Sequence, residues 1–148
     1  MNLFLVHHGE AVGSDVDPRR PLSAAGQLAV ERAAADAASR GAKPDVVWHS
    51  GKLRARQTAQ IFWRACNALA EFSASRDLQP DDPPDWIGDR LRGEPRDILI
   101  AGHFPHLPRL LALLVPASAA SATPFPLHGV VALTTEDNGE TWRELWRI

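Results

Sequence analysis

The chain reads as an α/β protein: a mainly parallel sheet flanked by helices on both faces (three-layer α/β/α), with a C-terminal antiparallel hairpin. Three observations predict this. Short apolar runs at residues 2–6, 45–49 and 97–101 have strand length and little alternation, which suits strands buried on both faces. Longer helical stretches lie between them, and alternating strands and helices specify a parallel sheet. Last, the runs 130–134 and 142–146 flank Asn138-Gly139, a hairpin signal with a loop longer than two residues.

The elements follow in order. Asn2-Leu3-Phe4-Leu5-Val6 is the first strand, stopping at His7-His8-Gly9-Glu10. A polar loop rich in Gly, Asp, Pro and Arg runs to Leu22. Ser23 is placed to cap an Ala-rich helix reaching about Arg40, with Gly41 as its stop. After the Lys43-Pro44 turn, residues 45–49 form the second strand, and Ser50 is expected to cap a helix over residues 52–70. A weakly alternating run at 72–78 predicts a third strand. The Pro- and Asp-rich stretch 79–85 is a loop leading to a short helix near 86–91. Residues 97–101 form the next buried strand, ending at Gly102-His103. Pro105 and Pro108 suit the first turn of a helix carrying Leu107, Leu110, Leu111 and Leu114. The small-residue stretch 116–126 is expected to be a surface loop.

Bulk properties narrow the function. With 148 residues, 45% of them hydrophobic, the chain fits one domain, 1–148, with one sizeable core. A formal net charge of −2 argues against a nucleic-acid partner, which calls for a basic surplus. The single Cys66 cannot form an internal disulfide and fits a cytoplasmic setting; a buried small hydrophobe is its expected role. No targeting segment is evident, and the most apolar stretch, 107–115, is too short to span a bilayer.

In open α/β sheets, ligands bind beyond the carboxyl ends of the strands, near a switch in strand order. Three strand exits carry His8, His49-Ser50 and His103. Each histidine alone reads as an ordinary loop residue. Their convergence is the first functional clue.

Three longer motifs sharpen it. Leu5-Val6-His7-His8-Gly9-Glu10 resembles the Leu-x-Arg-His-Gly-Glu signature of the histidine phosphatase superfamily. Ser50-Gly51-Lys52-Leu53-Arg54-Ala55-Arg56-Gln57-Thr58-Ala59 resembles its Ser-x-x-x-Arg-Ala-x-x-Thr-Ala stretch at all five fixed positions. Ala101-Gly102-His103-Phe104-Pro105 resembles its Gly-His-x-Pro. In addition, Arg20-Pro21-Leu22-Ser23-Ala24-Ala25-Gly26 resembles the Arg-Pro-Leu-Thr/Ser-x-x-Gly of SixA-type members, and Leu78-Gln79-Pro80 their Leu-x-Pro. The resemblance spans nearly the whole chain. The absence of a Leu-x-Glu donor at 78–80, together with the short length, points to the phosphohistidine phosphatase branch rather than the mutases.

The resemblance implies a phosphatase that forms a covalent phosphate on His8, with Arg54 and His103 as catalytic partners and His7, Ser50 and Arg20 as substrate-binding residues. A neutral imidazole can attack phosphorus when its other nitrogen is tied to an acceptor. Arg54, in the first turns of a helix, can fork two hydrogen bonds onto a phosphate, and His103 can donate to phosphoryl oxygens. The implied substrate is a phosphorylated protein histidine or a small phosphorylated compound, with inorganic phosphate or sulfate as pocket ligands and no metal or organic cofactor required. Asp81, Asp82, Glu10 and Asp17 are weaker candidates for proton handling, and Arg56 reads as a solvated helix residue.

One position departs from the pattern: His7 stands where the family has an arginine. A charged hydrogen bond is worth about 1.5–3 kcal/mol, or roughly ten- to a hundredfold in rate. The expectation is weaker turnover or a preference for acid pH, with Arg19 or Arg20 able to restore the charge. A second reading is therefore a phosphate- or phosphoprotein-binding relative with weakened catalysis. A third, ranked last, is a metal site suggested by His103-x-x-His106. His49 and His128 have no expected role beyond structure.

Overall fold

Burial of the first strand on both faces organises the molecule. The computed structural model describes residues 1–148, with β1 (Asn2–His7), α1 (Ala24–Ser39), β2 (Val46–His49), α2 (Leu53–Cys66), β3 (Glu71–Ala74), α3 (Pro84–Leu91), β4 (Ile98–Gly102), α4 (His106–Leu114), β5 (Val130–Thr134) and β6 (Arg143–Arg147). The six strands form one sheet in the order β3-β2-β4-β1-β5-β6. The β3-β2-β4-β1 block is parallel, and β5 and β6 are antiparallel. The predicted three-layer fold is what is observed. No helix is long and apolar enough to cross a membrane.

Side chains alternate across the sheet with period two, so each strand feeds two cores. Leu3, Leu5, Ile98 and Ile100 pack with Ile87 and Leu91 of α3 and Leu107 and Leu110 of α4. On the other face, Phe4, Val6, Leu99 and Ala101 meet Val30 and Ala34 of α1 and Ala59 and Phe62 of α2. The small alanines let α1 and α2 lie close to the sheet. The chain leaves β1 through α1 toward β2 but leaves β4 through α4 toward β5. These connections diverge beyond the adjacent ends of β1 and β4, the place where such folds bind ligands.

Boundaries moved where side chains compete with the backbone. The second helix ends at Cys66, not near Ala70. Asn67 is extended there, its amide donating to the Pro44 carbonyl at 2.9 Å and its Oδ1 accepting from Leu69 N at 3.1 Å. Ser50 does not cap that helix; the N-cap is Lys52, without a side-chain cap. The third strand is Glu71–Ala74 rather than 72–78, the chain turning at Asp77 with φ +71°. Ser23 does cap α1, accepting from Gly26 N at 2.9 Å. The 116–126 stretch is exposed apart from the partly covered Pro126 and buried Phe125, and it holds one 3-10 turn at Ala117–Ala119. In the β5–β6 connection, Asn138 and Gly139 both take positive φ (57° and 86°), and Trp142 lies in the loop rather than the strand.

Gly26 positions the site. A Cβ there would overlap the Glu10 carbonyl, so only glycine lets α1 rest against the segment following His8. We predict that Gly26→Ala costs roughly 1–3 kcal/mol through this overlap, read as a lower urea midpoint with unchanged m-value. A variant as stable as wild type would show that α1 can shift freely.

Candidate active site

The two histidines at the end of β1 are held between two neighbours. His8 N donates to Gly102 O on the β4 side, and His7 N donates to Gly129 O on the β5 side, both at 3.0 Å. Because β5 is antiparallel, its amino end lies beside the carboxyl end of β1.

The His8 Nδ1 lies 2.7 Å from the Gly9 carbonyl. A carbonyl only accepts, so Nδ1 carries the proton and Nε2 keeps its lone pair. Arg54 Nε donates toward that lone pair at 3.4 Å. Burial pushes the His8 pKa down to about 4; the Gly9 bond opposes this, and the charges of Arg54, His128 and Arg20 reinforce it. His8 is therefore neutral near pH 7, with one nitrogen available to a ligand.

Arg54 is the second residue of α2. Thr58 Oγ1 donates to the Arg54 carbonyl at 2.8 Å and accepts from Gly9 N at 3.0 Å. This buried hydroxyl ties the loop after β1 to the helix that carries the guanidinium. The Arg54 pKa is lowered, first by burial and then by Arg20, so a second cation is close. Arg20 sits at φ +49° with Nε donating to Val12 O at 3.1 Å. Neither arginine has a carboxylate partner. Two cations without carboxylate partners thus act on His8, an arrangement suited to an anion.

His103, at the exit of β4, is 1% exposed, and its ring centroid lies 5.1 Å from that of His8. Its Nε2 is 2.6 Å from Ser50 Oγ, while Nδ1 is buried without a partner. Ser50 is itself fixed: Lys52 N donates to its hydroxyl at 3.3 Å, and Gln79 Nε2 to its carbonyl at 2.7 Å. Burial, followed by the charges of His8, Arg54, Lys52 and His7, lowers the His103 pKa to about 3.

His7 is sandwiched. Its ring stacks on Phe104 at 4.0 Å and on His128 at 4.8 Å, nearly parallel to both. His128 N donates to His7 Nδ1 at 2.8 Å, so the proton of a neutral His7 is on Nε2. Burial first, then His8, His128 and Arg54, lower its pKa to about 3. The expectation that His7 gains charge in mild acid is thus corrected. What His7 offers is a neutral donor.

The structure brings together His7, His8, Arg54, His103 and Ser50, with Arg20 close by. It leaves the carboxylates out. Glu10 accepts from Ser23 Oγ at 2.8 Å, Asp17 pairs with Arg19 at 3.1 Å, Asp82 accepts from Gln79 N at 2.9 Å, and Asp81 is exposed. Arg19 is held by Asp17, which leaves Arg20 as the candidate replacement charge. Arg56 is exposed as expected. Cys66 is half-buried, and burial raises its pKa to about 11, so it is an inert thiol. His49 Nδ1 accepts from Gly51 N at 3.0 Å, a structural role.

His128 was the residue sequence reasoning missed. Its signal was positional: it precedes the strand whose amino end must flank His7. The predicted His103-x-x-His106 pair does not form a metal cluster. The group that converges is His7, His8 and His128, each with a ring nitrogen within 4.8 Å of the others. The His7 and His128 rings are parallel to within 4°, so their in-plane lone pairs run side by side rather than meeting at one ion. His7 also presents an N–H rather than a lone pair. This is a hydrogen-bonding cluster.

No protein-family model matches the chain, and no curated protein matches it by sequence. Solved structures do. The fold is that of SixA-type phosphohistidine phosphatases. The chain superposes over 100% of its length on 96% of the protein histidine phosphatase SixA complexed with tungstate, at TM-score 0.86 and 22% identity. A SixA-type protein of Agrobacterium tumefaciens matches 99% of this chain over 96% of its own, with TM-score 0.82 and 23% identity. One from Nakamurella follows at TM-score 0.77 and 22% identity, over 99% of this chain and 94% of its own.

Two predictions arise here. Thr58→Val leaves the buried Gly9 N–H unpaired, which costs about 1–3 kcal/mol and should loosen the His8 loop; chemical denaturation checks it, and an unchanged midpoint would dismiss the clasp. The second concerns acid. His7, His8 and His103 have folded pKa values of about 3, 4 and 3 against 6.5 in the unfolded chain. The unfolded state therefore binds more protons between these limits, and stability rises with pH across them. The contribution is complete above about 6.5 and is lost as pH falls toward 4. Tm should drop between pH 7 and 4.5, less steeply in His103→Gln; parallel curves would remove His103 from this account.

Proposed function

We propose that the chain is a phosphohistidine phosphatase-type hydrolase acting through a covalent phosphate on His8. The observation that carries this reading is the His8 tautomer: Nδ1–H held by the Gly9 carbonyl at 2.7 Å, and Nε2 turned to Arg54. That nitrogen is a preset nucleophile. Its lone pair forms the N–P bond as the bond from phosphorus to the leaving group breaks. In this reading the equatorial oxygens then gather charge, which Arg54, His103 and the neutral N–H of His7 receive. Water next attacks phosphorus, the N–P bond breaks, inorganic phosphate departs and His8 recovers its lone pair.

The absence of a carboxylate within this cluster supports phosphohistidine as substrate. A phosphoimidazole protonated on its distal nitrogen leaves as neutral imidazole and needs no acid from the protein. An alkyl phosphate would leave as an alkoxide and would need one. The similarity to a SixA structure holding tungstate, an oxyanion like phosphate, agrees with this. A cytoplasmic setting suits a target protein carrying phosphohistidine and the single unpaired Cys66.

A phosphohistidine peptide and a generic aryl phosphate, assayed across pH 3.5–8, test the reading. Wild type should turn over the peptide faster, and His8→Ala should fall to background with no acid-labile phosphoenzyme. Arg54→Ala should lose about ten- to a hundredfold in kcat/KM. Protonating His8 removes its lone pair, so kcat/KM should hold through mild acid and fall as pH drops through about 4. Turnover that survives in His8→Ala, or an acid limb near 6.5, would overturn this mechanism.

A further inference from the structure

A chain of hydrogen bonds runs from the 78–82 loop to His103. The imidazole Nε2 lies 2.6 Å from the Ser50 hydroxyl at the exit of β2, and that hydroxyl accepts from Lys52 N at 3.3 Å. The Ser50 carbonyl in turn accepts from Gln79 Nε2 at 2.7 Å. Gln79 is braced on both sides: Leu78 is fully buried in the core, and Asp82 Oδ2 accepts from Gln79 N at 2.9 Å. The loop after β3 thus reaches the exits of β2 and β4 through one side-chain amide.

Counting donors and acceptors places the hydrogen of the ring. Burial first, and then the neighbouring charges, hold the His103 pKa at about 3, so near pH 7 the ring carries one hydrogen, on Nδ1 or on Nε2. A hydrogen on Nε2 would point at Ser50 Oγ and turn the serine hydrogen away from its one acceptor, while Nδ1 would be a lone pair without a donor. Two groups would then lack partners. In the opposite arrangement the Ser50 hydroxyl accepts from Lys52 N and donates to Nε2, and a single group, the Nδ1 N–H, is left unpaired. Buried polar groups without partners are costly, so the second arrangement is favoured. The Nδ1 N–H is then the one hydrogen that a neutral His103 has to offer a phosphoryl oxygen.

We propose that Ser50 and Gln79 are positioning residues for His103: the Ser50 hydroxyl donates to Nε2 and so keeps the ring's single hydrogen on Nδ1, and Gln79 holds Ser50 in place through its carbonyl. Both act through the imidazole. This replaces the direct substrate contact that the sequence resemblance implies for Ser50. The effect on turnover rests on the reading of His103 as a donor to the phosphoryl group, whereas the tautomer rests on the hydrogen bonds alone.

The test separates the two. Nitrogen NMR of protein labelled at its histidines reads the tautomer, because a ring nitrogen with a hydrogen and one without differ widely in chemical shift; His103→Gln assigns the signal. Wild type should show His103 with its hydrogen on Nδ1. In Ser50→Ala, most of that population should pass to the Nε2–H form, which histidine side chains prefer in water. Gln79→Met, of similar volume but without the amide, should shift a smaller part. Added to Ser50→Ala it should change nothing further, because Gln79 acts through Ser50. On a phosphohistidine peptide, Ser50→Ala should lower kcat roughly five- to tenfold while KM stays within about twofold; a direct substrate contact would raise KM instead. A wild-type His103 with its hydrogen on Nε2, or a tautomer unmoved in Ser50→Ala, would overturn the proposal and leave the phosphatase reading standing. A tautomer that moves with no loss of kcat would overturn the positioning role, and additive effects of the two substitutions would remove Gln79 from it. The expected spectra in a protein with no turnover would uphold the tautomer assignment and sink the enzyme.

Discussion

The site depends on the end of β1 being paired on both sides. His7 is the last residue of that strand, and its amide reaches Gly129 while the next amide reaches Gly102, each at 3.0 Å. Two successive residues are thus locked to two different neighbours, one parallel and one antiparallel. Buried backbone groups must find partners, so these bonds are enforced by the burial of Leu3, Leu5 and Val6 below them. Once β1 is pinned, His8 has a fixed direction, and β4 and β5 deliver His103 and His128 to the same place. The imidazoles need no flexible loop to assemble.

Much of this was legible because strand exits and helix starts carry strong local signals. Residues 2–6 are unbroken apolar, and Gly9 marks the turn beyond them. The short spacing from His49-Ser50 to Arg54 puts the guanidinium in the first turn of α2. Ser50 was legible as a site residue but not in its bonding: the helix begins at Leu53 with Lys52 at its N-cap, so Ser50 lies outside it, its hydroxyl accepting from Lys52 N at 3.3 Å and lying 2.6 Å from His103 Nε2. His128 was hidden for another reason. Nothing within its own neighbourhood is unusual; its importance comes from β5 lying next to β1, a long-range pairing that composition and period do not encode. The Cys66 end of α2 was also hidden, since Asn67 bonds to Pro44 across the fold.

The chemistry of the cluster follows from keeping imidazoles neutral in a place that attracts anions. Burial lowers the pKa of His7, His8 and His103, and Arg54 lowers each of them further. The same arginine that would hold the phosphoryl group therefore also protects the nucleophile's lone pair from protons. Neutrality of His8 and positive potential around it are one arrangement seen from two sides. Carboxylates nearby would undo both: they would raise the imidazole pKa values and repel the substrate. Their diversion to Ser23, Arg19 and Gln79 keeps negative charge away from the cluster.

A histidine at position 7, where the motif it resembles has an arginine, moves energy from one state of the proposed site to another. Two guanidiniums without carboxylate partners already act on His8. A further unit charge at position 7 would be repelled, since the Arg54 charge already acts on His7. A neutral imidazole stacked between Phe104 and His128 avoids that repulsion and gains the packing of flat rings. By the same reasoning, the missing charge would withhold attraction from a phosphoryl dianion at the proposed site. Binding energy that the ground state and the transition state share lowers KM without raising kcat. A weaker hold on the ground-state dianion is therefore compatible with turnover, provided the donors that meet the transition state stay in place. The His7 N–H, kept in its tautomer by the His128 backbone, is such a donor.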